Sequence, residues 1–131
     1  TDLGEKVVTK IMEKIVDIKE VKGLKNVTLG PVNVACHIKN TAHLIKDGLK
    51  QRDAAIMAGA KGATTLIVRS GKITFPGEDV KIGEENEKVL NRLFDLKEGD
   101  VIVIGTGDSL KEAENGAVAA TLTILSLPSL K

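Results

Sequence analysis

At 131 residues, with 42% apolar and 28% charged side chains, the chain has the length and composition of one globular domain, which argues against general disorder and against a bilayer-spanning protein. Nineteen Lys and Arg against eighteen Asp and Glu leave a net charge of +1, so no general field draws in polyanions, and with no Trp or Tyr the usual stacking platform for single-stranded nucleic acid is missing. One cysteine, Cys36, excludes an internal disulfide and a multi-cysteine zinc site. No apolar run reaches the roughly 18 to 20 residues that cross a bilayer, and Thr1 to Lys14 lacks the basic-then-apolar layout of a signal peptide. The expectation is one domain over residues 1–131, cytoplasmic, with neither membrane nor nucleic acid as a partner.

In chain order, Leu3, Val7, Ile11, Ile15 and Ile18 make one stripe at helical spacing, which predicts an amphipathic helix over Leu3–Val21. Valine-rich Asn26–Ile38 is interrupted at Gly30-Pro31, so a strand is expected from Val32 to Ile38. Asn40 and Thr41 offer N-caps for a helix over Ala42–Lys61, with Gly59 as an alternative end. Its expected buried residues are Leu44 or Ile45, Leu49, Ala55, Ile56, Gly59 and Ala60. Two β-rich runs flank Ser70-Gly71 between Thr64 and Phe75 and predict a hairpin with Leu66, Val68, Ile73 and Phe75 on one face. Glu84–Leu96 follows as a helix, with acids in its first turn, where the helix dipole favours them. Beyond Ser109 the helical spacing of Val118, Leu122 and Leu125 competes with the turn signal Asn115-Gly116, and one alanine-rich helix to Leu127 is preferred over a strand.

The stretch Asp100–Ala113, DVIVIGTGDSLKEA, combines a fully apolar strand, a glycine turn and a helix start. Ser109 and Glu112 stand at capping-box spacing. A turn of this kind, Gly105, Thr106, Gly107, Asp108 and Ser109, can hold an anion on free backbone amides, with the Thr106 and Ser109 hydroxyls as further donors. It lacks the third glycine of a dinucleotide fingerprint and the Lys-Ser or Lys-Thr pair of a P-loop. The same residues also read simply as a turn and a cap.

If the strand ending at Ile38 runs parallel to this one, Cys36, His37, Asn40 and Thr41 form the other wall of the same pocket. Cys36 is then a candidate nucleophile and His37 or His43 a candidate acid or base. Neighbouring strand residues face opposite ways, so His43 is the better partner for the thiol. Two histidines six apart with no third ligand are no metal pattern. The sequence names no cofactor.

The expected fold class is therefore α/β: a single domain with a mixed, mostly parallel sheet of four or five strands and helices packed on its faces. The expected function is binding of a small anionic ligand, a phosphate-bearing one included, with or without catalysis, over the Gly105–Ser109 turn. The alternative is a non-enzymatic homo-oligomeric module that works through the N-terminal helix or the hairpin.

Overall fold

Val101, Ile102, Val103 and Ile104 are all excluded from solvent, and a strand apolar on both faces needs cover on both. In the computed structural model, which describes residues 15–77 and 80–125, this strand is the middle of a five-stranded sheet with layers on either side. The strands are β1 (Ile15–Val21), β2 (Val32–Ile38), β3 (Gly62–Arg69), β4 (Lys72–Thr74) and β5 (Val101–Gly107). The helices are α1 (Leu49–Met57), α2 (Glu84–Leu93) and α3 (Leu110–Leu125), with one 3-10 turn at Ala42–Leu44. Among the described residues, no helix is long and apolar enough to cross a membrane.

The sheet order is β1-β2-β5-β3-β4 and every neighbouring pair is antiparallel. This corrects the mostly parallel sheet expected from the sequence. β2 and β3, joined through α1, do run the same way, because each is antiparallel to β5. β5 inserts between them and takes the hydrogen bonds that a simple parallel crossover would have shared. Burial on both faces looks the same in sequence whichever way the neighbours run.

Alternation along the strands sorts the core into two layers. Ala35, Leu66, Val68, Ile73, Ile102 and Ile104 face α2, where they meet Leu90 and Phe94. Val34, Cys36, Ile67, Val101 and Val103 face α3, through Ala113, Ala117, Ala120 and Ile124. Burying each of the larger side chains contributes about 1.5–3 kcal/mol relative to exposure.

Two helical expectations are overturned. Ile15–Val21 is an edge strand paired with β2, not the end of a helix; the part of that prediction before Ile15 lies outside the described residues. The predicted Ala42–Lys61 helix is cut to α1 by Gly48, whose left-handed φ of 84° sets the N-cap. α1 buries Gln51 and Ala55 and leaves Leu49 and Ile56 outside. The hairpin forms across Ser70-Gly71, both left-handed (φ 54° and 74°), as a two-residue connection requires. The last helix continues through Asn115-Gly116 to Leu125.

Candidate functional site

The β2–β5 register decides which of the sequence-selected residues share a place. Val32 pairs with Gly107 and Ile38 with Val101, so Cys36–Thr41 lies at one end of β5 and the Gly105–Ser109 turn at the other. The single pocket expected from a parallel arrangement is not assembled.

Cys36 is wholly buried under α3, and burial pushes its thiol up, away from the thiolate a nucleophile needs. His37 points to the opposite face, while His43 stands exposed in the 3-10 turn. His37 Nε2 instead donates to Asp100 Oδ2 at 2.7 Å, in a pair that is almost solvent-free, and its ring meets Phe94 edge-on at 5.6 Å. Burial alone would raise the Asp100 carboxyl, but hydrogen bonds from His37 and from the Asn40 and Lys97 amides outweigh it and hold the group below its usual range. Asn40 thus serves Asp100 through its backbone, and Thr41 is buried behind it.

At the other end, the turn's side-chain polar groups are already occupied. Thr106 Oγ1 accepts from the Gly30 amide at 2.8 Å, Asp108 pairs with Lys61 at 3.0 Å, and the Glu112 amide donates to Ser109 Oγ at 3.2 Å. The Ser109 hydroxyl in turn donates to the Glu112 carboxylate at 3.0 Å, so the N-cap half of the capping box read from the sequence is present, with the Glu112 carboxylate on the hydroxyl instead of on the Ser109 amide. Gly105 and Gly107 are small because α3 is close: a Cβ on Gly105 would run into the backbone of Ala113 and Ala117, and one on Gly107 would come within 2.8 Å of Glu112 Cβ.

Two clefts remain. One, of about 440 Å³, lies between Lys25–Val27 and the start of α2. Its buried polar group, Asn86, spends both ends on the protein: the side chain donates to the Lys25 and Ile82 carbonyls and accepts from the Lys25 amide. That asparagine is a loop clasp.

The other, of about 340 Å³, opens at the N-terminus of α1 and is lined by Asp47, Gly48, Leu49, Arg52, Thr65, Phe75 and Pro76, among others. Its polar groups are not all spent. Thr65 is 4% exposed, and its buried hydroxyl has no hydrogen-bond partner. Thr65 Cβ and Oγ1 lie 3.5 and 3.6 Å from where a Cβ on Gly48 would stand, so this side chain packs against the helix start. The Leu49 amide is taken by Asp47 Oδ1 at 3.0 Å and the Arg52 amide by the Gly48 carbonyl at 3.1 Å. Among the described residues, no backbone group accepts from the amides of Lys50 and Gln51. These donors stand at the positive end of the helix dipole.

The sequence reading missed this cleft. Asp47-Gly48 is a turn signal inside an apparent helix and could have marked a helix start; nothing in the sequence marks the Thr65 hydroxyl as unpartnered.

A family model described as "Domain of unknown function (DUF4443)" matches residues 29–124, a span that includes the cleft and the Gly105–Ser109 turn. No curated protein matches the chain. Among solved structures, the chain resembles a hypothetical protein, PH0730, from Pyrococcus horikoshii OT3, with a TM-score of 0.71 and 23% identity. The match covers 95% of this chain and 64% of that one, and at this identity it bears on the fold alone.

Proposed function

The chain belongs to the family described as Domain of unknown function (DUF4443), and for it we propose the role of a small-molecule-binding domain whose ligand sits in the cleft at the start of α1. The observation that carries this reading is the Thr65 hydroxyl, buried without a partner on the wall of a cavity. An unsatisfied buried hydroxyl costs about 1–3 kcal/mol, and of the five buried side-chain atoms without a partner among the described residues, Thr65 Oγ1 is the one whose residue lines either cleft, where a ligand can supply the missing bond. A volume of about 340 Å³ falls in the ordinary range for small-molecule sites, and Phe75, Pro76 and Leu49 provide the apolar wall such sites have. The anionic ligand anticipated over Gly105–Ser109 finds free donors here, whereas that turn's side chains are paired and two acids stand at its mouth.

Thr65→Val tests the proposal with opposite signs in two measurements. Replacing the unsatisfied hydroxyl with a methyl group is expected to raise the ligand-free melting temperature, by an amount equivalent to about 1 kcal/mol. The same change should abolish any thermal shift that carboxylates, amino acids or sugar phosphates produce in the parent. A drop in ligand-free stability would mean that the hydroxyl serves the fold.

A second reading is favoured by the outer side of α1. Leu49, Ile56 and Met57, with Leu29 next to Arg52 at its edge, form an exposed apolar surface, Met57 at 90% exposure. Under this reading two copies associate through α1. The parent should then sediment as a concentration-dependent dimer and Met57→Glu as a monomer; a parent that remains monomeric at high concentration refutes it.

A further inference from the structure

Resting on the reading of the α1 cleft as a ligand site, we infer that its ligand is a free α-amino acid with an apolar side chain. The cleft and the helix start beside it present three kinds of group, and each suits a different part of one molecule.

The donors come first. The Thr65 hydroxyl is buried without a partner in the lining, and the Lys50 and Gln51 amides, outside the lining, are open at the adjoining helix start. The Arg52 guanidinium has only a 3.5 Å contact with its exposed neighbour Asp53. Together they form a seat for a small anion such as a carboxylate.

Asp47 then decides which anion. Its Oδ1 accepts from the Leu49 amide at 3.0 Å, and among the described residues nothing engages its second oxygen. A carboxylate on the wall of an anion seat repels phosphate or a dicarboxylate, but it pairs with a ligand that carries an ammonium next to its own carboxylate. The remaining lining, Leu49, Ala63, Phe75 and Pro76, is apolar and fits a hydrocarbon side chain. A free α-amino acid places all three features around one carbon, whereas a peptide carries its two charges on different residues and a simple amine lacks the carboxylate.

The test is calorimetric titration of the chain with L-leucine, L-valine and L-methionine, and with two leucine analogues, 4-methylpentanoate (no ammonium) and 3-methylbutylamine (no carboxylate). At least one amino acid should bind, and each analogue at least tenfold more weakly than leucine, since each loses a charge-assisted hydrogen bond. Asp47→Asn keeps the acceptor for the Leu49 amide and should weaken leucine at least tenfold while 4-methylpentanoate, relieved of the repulsion, binds more tightly than to the parent. Arg52→Gln, at an exposed position, should weaken both.

If 4-methylpentanoate or inorganic phosphate binds as tightly as any amino acid and Thr65→Val abolishes that binding, the amino-acid inference is overturned and the cleft stands as a plain anion site. Failure of all three amino acids to bind overturns it as well. If an amino acid binds and Thr65→Val leaves its affinity unchanged, the ligand sits elsewhere, and the reading of the cleft itself fails.

Discussion

Asp100 ties the end of β2 to the turn before β5, two segments far apart in sequence. One oxygen accepts from the Asn40 amide at 3.0 Å; the other accepts from His37 at 2.7 Å and from the Lys97 amide at 3.1 Å. Asp100→Ala would leave a buried imidazole and two amides without their acceptor, and is expected to cost about 3 kcal/mol or more in denaturant unfolding. The acid limb of stability follows from the direction of the shift. The folded carboxyl is held below its unfolded value, so its stabilisation is complete above that value and is lost as pH falls through the folded one. Stability measured below about pH 4 should fall in the parent and less steeply in Asp100→Asn. A parallel acid limb in the two proteins would contradict this. Individual side chains were only partly legible in the sequence. Strand alternation separates Cys36 from His37, but the partner of His37 lies across the sheet on β5's entry, and no local pattern announces it. Thr65 shows the same limit, because alternation places it on a face without saying whether its hydroxyl is satisfied.

Small residues set how the helices sit. Gly105 and Gly107 let α3 lie against β5, and Gly116 lets it approach α1, where a Cβ would come within 2.5 Å of Ala60 Cβ and 3.4 Å of Ala55 Cβ. Close approach through glycine and alanine explains why α1 buries Ala55 and leaves its larger residues outside. Gly105→Ala should therefore cost about 3 kcal/mol, because the methyl meets helix backbone and α3 must move. A urea midpoint within error of the parent would refute that packing. The elements legible in the sequence, the hairpin, α2 and α3, carry their own local signals: a turn pair, a first turn of acids, and a capping box at Ser109 and Glu112. β1 was not legible. Ile15 and Ile18 keep helical spacing, yet the segment finds its backbone partners in β2, and Lys19 reaches across to donate to the Leu93 carbonyl at 2.8 Å. Here long-range pairing overrides local periodicity.

Topology governs the molecule as a whole. The insertion of β5 between β2 and β3 sends the ends of β2 and β5 to opposite edges of the sheet, so the two turns selected from the sequence are far apart. It also leaves β3 and the hairpin flanking the start of α1, where Thr65, Phe75 and Pro76 close a cleft against Asp47–Arg52. None of this could be read from strands and helices in order, because the apolar run of β5 is compatible with either strand direction. If this cleft holds a small ligand against the first turn of α1, backbone amide NMR of the ¹⁵N-labelled chain titrated with L-leucine and the other amino acids will show saturable shifts concentrated at Gly48, Lys50, Gln51, Arg52 and Thr65, with the Gly105–Ser109 amides unmoved. Shifts centred on Gly105–Ser109, or none at Lys50 and Gln51 under saturating ligand, would contradict that placement.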